Sequence, residues 1–183
     1  MLYTRNPMDA KRDMLRHFLA ALAYRTQKAL RDAPESFGSF SSTQGVRTPI
    51  QLVRHMTSVL GYARTYFIGG QYQPEPLPNL LEETKRFHAM LEDLAQHLKT
   101  GIPLLLEMTE ERLLQGSFAD AMTHAGQLAI LRRLSGNPIA PENFIVADID
   151  TDQVGTAQAE PKSPDEIWNE APEGWIPPSK RKN

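Results

Sequence analysis

The chain has 183 residues, no cysteine and a formal net charge of −2, from 20 basic and 22 acidic residues. That length fits one domain plus a tail. The composition excludes disulfides, thiolate metal sites and a cysteine nucleophile, so any thiol chemistry must use a thiol from outside. Basic and acidic residues interleave, which speaks against nucleic acid or an anionic membrane as partner. The first fifteen residues, with Asp9, Lys11, Arg12 and Asp13, do not read as a secretory signal. No segment approaches the roughly twenty apolar residues of a membrane span, and a cytoplasmic protein is expected.

The first periodic segment predicts a helix from Met8 to Arg31 whose core face carries Met14, Phe18, Ala21, Leu22 and Arg25. Pro34 and the Gly/Ser-rich run over 38–45 break it. Thr48-Pro49 predicts the start of a second helix, a capping residue followed by proline at the first helical position, and Gly69-Gly70 ends it after Ile68. Residues 71–78 contain Pro74, Pro76 and Pro78 and suit an extended connection. Ten residues in polyproline conformation reach about 31 Å, roughly the length of a twenty-residue helix, so the chain can cross the bundle and set the second and third helices parallel.

The third helix is predicted from Asn79, with Leu80, Thr84, Phe87, Leu91, Leu94 and Leu98 on a bundle-core stripe. Thr100-Gly101 and Pro103 interrupt it, and Leu104 to Gln115 reads as a short helix without an assigned place. Gly116-Ser117 marks a new start, and the last helix runs from Ser117 to Leu134 before Ser135-Gly136-Asn137-Pro138 stops it. The expected architecture is all-α: a four-helix bundle with a long crossover connection over residues 1–140, then an extended proline-rich tail over 141–183. Within the tail, 143–147 reads as extended, and Phe144, Ile167, Trp168, Trp175 and Ile176 are expected to bury at intervals against the bundle.

Two stripes depart from a plain core. Leu52, His55, Val59, Tyr62 and Tyr66 follow core spacing on the second helix, and Asp120, His124, Gln127, Leu131 and Leu134 do so on the last. Polar groups at such positions need partners, because a buried unsatisfied one costs about 1–3 kcal/mol and a charged one more. Asp120 and His124 are one turn apart on the same side, which lets both grip one ion, and His55 from the neighbouring helix completes three ligands. Two imidazoles and a carboxylate suit a divalent metal, zinc first, with nickel, iron or manganese as alternatives. Three protein ligands leave positions open for water or substrate. Tyr62 is a candidate to orient a substrate or donate a proton, Gln127 to hydrogen-bond a ligand or bound water, and Gly126 to allow close helix approach beside the site.

The segments Leu52-Val53-Arg54-His55-Met56 and Asp120-Ala121-Met122-Thr123-His124-Ala125-Gly126-Gln127-Leu128 resemble those of the DinB/YfiT-like superfamily of metalloenzymes. The resemblance covers about residues 8–148. It implies a divalent-metal site inside a four-helix bundle, built from a second-helix histidine and a His-x-x-x-His-x-Gly-Gln-like motif on the last helix, with Asp120 at the position of the first motif histidine. It also implies a small-molecule substrate, met by metal-activated water in a hydrolase or by a low-molecular-weight thiol in a transferase.

Other readings compete. Ser117-Phe118-Ala119-Asp120 matches a capping box that would occupy Asp120. His55 and His124 can form a metal-free polar network with Tyr62 or Gln127. The chain as a whole can be an inert bundle that forms a homodimer or binds a protein. His88 and His97, nine apart, cannot share an ion and, with His17, are expected at the surface or boundary. Asp148, Asp150 and Asp152 look like the opening of a calcium loop, but Gln153 and Ala159 stand where glycine and glutamate are required.

Overall fold

A computed structural model describes residues 7–43, 45–161, 173–174, 176–177 and 180, with the side chains of residues 7 and 8 left aside. The helices are α1 (Pro7–Leu30), α2 (Pro49–Ile68), α3 (Leu80–Thr100), the short α4 (Glu110–Leu113) and α5 (Ala119–Leu134). A 3₁₀ turn spans Glu35–Ser39 and a π turn spans Leu114–Phe118. Local chemistry fixes most boundaries. Extended Thr48 precedes Pro49, and the Gln51 side chain accepts from the Thr48 N–H at 2.9 Å. The Asn79 side chain accepts from the Glu82 N–H at 2.9 Å. Past α5, Asn137 N–H bonds to the Arg132 carbonyl and Gly136 N–H to that of Arg133, with Gly136 at φ +77°.

Cross-helix pairs give the topology. Arg54 meets Glu83, Arg64 meets Asp93 and the Phe67 ring stacks on His97, a constant offset that sets α2 and α3 parallel. Arg12 pairs with Glu110, Phe18 stacks on Phe118, and the Arg31 carbonyl accepts from Arg132, so α1 runs parallel to α4 and α5. Helix α1 packs on α3 and α5, and α2 packs on the same two, which closes a ring of four in up-down-down-up order. The all-α bundle is therefore as expected, and so is its crossover. Residues 71–78 run back along α2, where the Tyr72 ring lies on Gly61, the Leu77 carbonyl accepts from Arg54 at 3.2 Å and the Glu75 carbonyl accepts from Arg86 at 2.7 Å.

The α3 stripe faces the core as its spacing indicates: Thr84, Phe87, Leu91, Leu94 and Leu98 are buried and Leu80 packs against them. The α1 face is different. Leu15, Leu19, Leu22 and Ala23 are buried, whereas Met14 is 69 % exposed and Arg25 is exposed. Two layers cover α1, the bundle on one side and residues 142–144 on the other, so its buried surface is wider than one stripe.

Residues 139–161 strap the bundle. Buried Glu142 accepts from Tyr24 Oη and from Lys28 Nζ, each at 2.7 Å, and the Phe144 ring meets Tyr24 edge-on while the Arg25 guanidinium lies 3.8 Å over it. The expected extension over 143–147 is not found. The Asn143 side chain accepts from the Ile145 N–H and its carbonyl from the Val146 N–H, which turns the chain and leaves Ile145 and Val146 exposed. Ile176 is exposed as well, and Ile167, Trp168 and Trp175 lie outside the described residues. No helix among the described residues is long and apolar enough to cross a membrane.

The strap also corrects the reading of His88, which is 1 % exposed, not superficial. Its Nδ1–H donates to the Val154 carbonyl at 2.9 Å, and burial pushes the imidazole below its ordinary value. The neutral form is thus the folded one. Below about pH 6.5 the unfolded chain binds a proton that the folded chain refuses. Stability is expected to fall by up to about 1.4 kcal/mol per pH unit through that region and to level off beneath the folded-state value. His88→Gln keeps a donor for Val154 and is expected to remove this component from urea titrations run between about pH 7.5 and 5; an unchanged slope would assign it elsewhere.

Candidate metal centre

His55 sits on α2 and Asp120 and His124 on α5, where the two helices run antiparallel and their facing turns bring the three side chains together. One ligand atom from each lies within 4.8 Å of the others. Asp120 Oδ1 is 3.5 Å from His124 Nε2 and Asp120 Oδ2 is 3.8 Å from His55 Nε2, while the two imidazoles meet edge-on at 4.7 Å between centroids. Bonds of about 2.0–2.2 Å would set tetrahedral donors about 3.3–3.6 Å apart, so small side-chain rotations suffice for one cation and the donor set fits it.

Orientation comes from a second contact. His124 Nδ1 lies 2.9 Å from Gln127 Oε1. A carbonyl oxygen only accepts, so Nδ1 carries a hydrogen, and the ring is turned with Nε2 towards Asp120, the orientation in which Nε2 would ligate. At His55, burial, then the Arg47 and His124 charges, push the imidazole below its ordinary value against the pull of Asp120. Its neutral, ligating form is favoured near neutral pH.

The cluster occupies the margin of the core. His124 is 7 % exposed, but the side chains of His55 and Asp120 are 31 % and 47 % exposed. Along α2 the buried apolar face follows Val53, Met56, Leu60, Ala63 and Phe67, one residue round from the His55 stripe, of which Leu52 alone is buried. Asp120 is therefore solvated and needs no cation to be tolerated. What points to an ion is the convergence of three donors. Beside it lies a depression of about 480 Å³ lined by His55, Ser58, Val59, Tyr62, Gln115, Gly116, Ser117 and Asp120.

A π turn aims α5 at this place. Leu113 and Phe118 are five residues apart and both buried, a spacing that an i→i+5 turn supplies, and Gly116 adopts the non-helical pair φ −91°, ψ −109°. The short α4 precedes it from Glu110, capped by Thr109, whose Oγ1 accepts from the Arg112 N–H at 3.2 Å. The break expected at Gly116-Ser117 is present as this kink, and α5 runs from Ala119, two residues past the expected start. Phe118 is already helical and carries no cap, so the capping-box reading of Asp120 falls.

Tyr62 lines the depression, is 58 % exposed, and its hydroxyl pairs with that of Tyr66. Gln127 holds His124, a positioning role. Gly126 has open space where a Cβ would stand, so it allows no close approach; Gly61 does that, under Tyr72. Arg47 was not singled out from sequence, since its loop position gives no periodic signal. Comparison with family models, with curated proteins and with solved structures returned no match. The functional reading rests on this geometry.

Proposed function

We propose that the chain is a divalent-metal enzyme of the DinB-like type, acting on a small molecule at His55, Asp120 and His124. The observation that carries this is the convergence of two imidazole nitrogens and a carboxylate at the wall of an open depression. Zinc is the first expectation from that donor set, with nickel, iron or manganese behind it. When bound, the cation would lower the pKa of a water or an external thiol and so supply a nucleophile at neutral pH. The protein's own part is to orient the His124 ring through Gln127 and to favour the neutral form of His55 through burial. The Tyr62 hydroxyl, freed from Tyr66, would orient the substrate or give a proton to the leaving group.

Elemental analysis of tag-free protein tests this. About one equivalent of metal is expected, falling at least tenfold in occupancy at limiting metal in His55→Ala and His124→Ala. Gln127→Ala should weaken binding by about 10–100-fold. Absence of metal after reconstitution with zinc, nickel, iron and manganese would overturn the proposal.

A further inference from the structure

A second depression, of about 600 Å³, adjoins the centre along α5 and has a different character. Val46, Leu52, Ile130 and Leu134 form its apolar walls, Arg47 supplies a cation, and Gln127 joins it to the metal centre through His124. Val46, Ile130 and Leu134 are 43, 52 and 60 % exposed, so three large apolar side chains stand in water around one point. A cavity of this size suits a small molecule with an apolar body.

Arg47 differs from the arginines that hold the bundle. Arg12, Arg54 and Arg64 pair with carboxylates on facing elements, and Arg132 is taken by Asn137. Arg47 is exposed and forms no ion pair among the described residues. Arg47 lines the same depression as Gln127, whose side chain holds His124, so the guanidinium stands beside the proposed metal centre. An unpaired guanidinium beside an apolar wall complements an oxyanion carried on a hydrocarbon.

We propose that the substrate is a small amphipathic anion, its oxyanion group held by Arg47 and its apolar body laid along Val46, Ile130 and Leu134 beside His55, Asp120 and His124. This rests on the metal-enzyme reading for what happens to the bound molecule, but binding itself requires no metal.

The test uses the full chain stripped of metal, with octanoate and its uncharged isostere octanamide as probes, titrated at low ionic strength and followed by amide NMR shifts. Octanoate is expected to bind about tenfold more tightly than octanamide, with shifts at Arg47, Gln127 and Ile130. Arg47→Gln should erase the preference, and Ile130→Asp should weaken both ligands. Equal binding of the two probes, or a preference that survives Arg47→Gln, would overturn the proposal. So would a dimer that Leu134→Glu dissociates and octanoate does not compete with, since a second copy would then own the patch. Failure of the metal reading appears separately, in the elemental analysis.

Discussion

Glu83→Ala is expected to lower stability by about 3–5 kcal/mol, measured by urea unfolding. Glu83 is fully buried on α3 and accepts three hydrogen bonds: from Arg54 Nε on α2 at 2.7 Å, from Arg86 one turn on, and from the Leu77 N–H of the crossover at 2.9 Å. Alanine would leave two half-buried guanidinium groups and a backbone N–H without their acceptor. Losing a partner in such a network costs much more than the network contributes in total, because the remaining charges stay desolvated. Burial alone would push the Glu83 carboxyl up, but the hydrogen bonds from Arg54, Leu77 and Arg86 outweigh it and hold the group below its ordinary value. A depressed carboxyl contributes stability above the unfolded value, about pH 4.3, and loses it as pH falls through the folded value, so the variant should also lose this acid dependence. A cost under about 1 kcal/mol would mean that the network does not pin the crossover.

Gly61→Ala is expected to cost about 1–3 kcal/mol, although alanine is the better helix former. A Cβ at Gly61 would lie 2.0 Å from Tyr72 Cδ1, so the ring must leave the groove it fills. The double variant with Tyr72→Ala separates causes. Without the ring, alanine at 61 should stabilise by up to about 1 kcal/mol, reversing the sign. If the cost persists in that background, the ring contact is not its source.

Much of the fold could be read from residues whose effects are local. Thr48-Pro49, Asn79, Gly69 and Gly136 act through hydrogen bonds and φ values within a few positions, and each ends or starts a helix where expected. The α3 stripe was legible because large apolar residues at four-and-three spacing point into the core whatever covers the flanks of the helix. The polar stripes on α2 and α5 gave the three converging side chains, since a four-residue spacing fixes relative direction whatever the surroundings. Where a distant segment decides, the sequence was silent. The strap buries His88 and widens the covered face of α1, and neither effect has a periodic signature. Gly116-Ser117 marks a break that the structure keeps as a kink, but the π geometry that joins the short α4 to α5 across it has no signature in composition. Gly126 and Gly61 look alike in sequence, and only the path of Tyr72 tells them apart.

The ring order of the helices also bears on the sequence of folding events. Helix α1 packs chiefly on α3 and α5 rather than on its neighbour in sequence α2, and Phe18 finds Phe118 across a hundred residues of chain. A bundle of successive hairpins can zip from any adjacent pair, whereas here even α2 and α3 must wait for the crossover to double back before they align. Loop closure therefore precedes most of the burial, and folding is expected to be slower than for an up-and-down bundle of equal size. During synthesis α1 emerges before either partner, so the part of its apolar face that α5 covers stays exposed until α5 has left the ribosome.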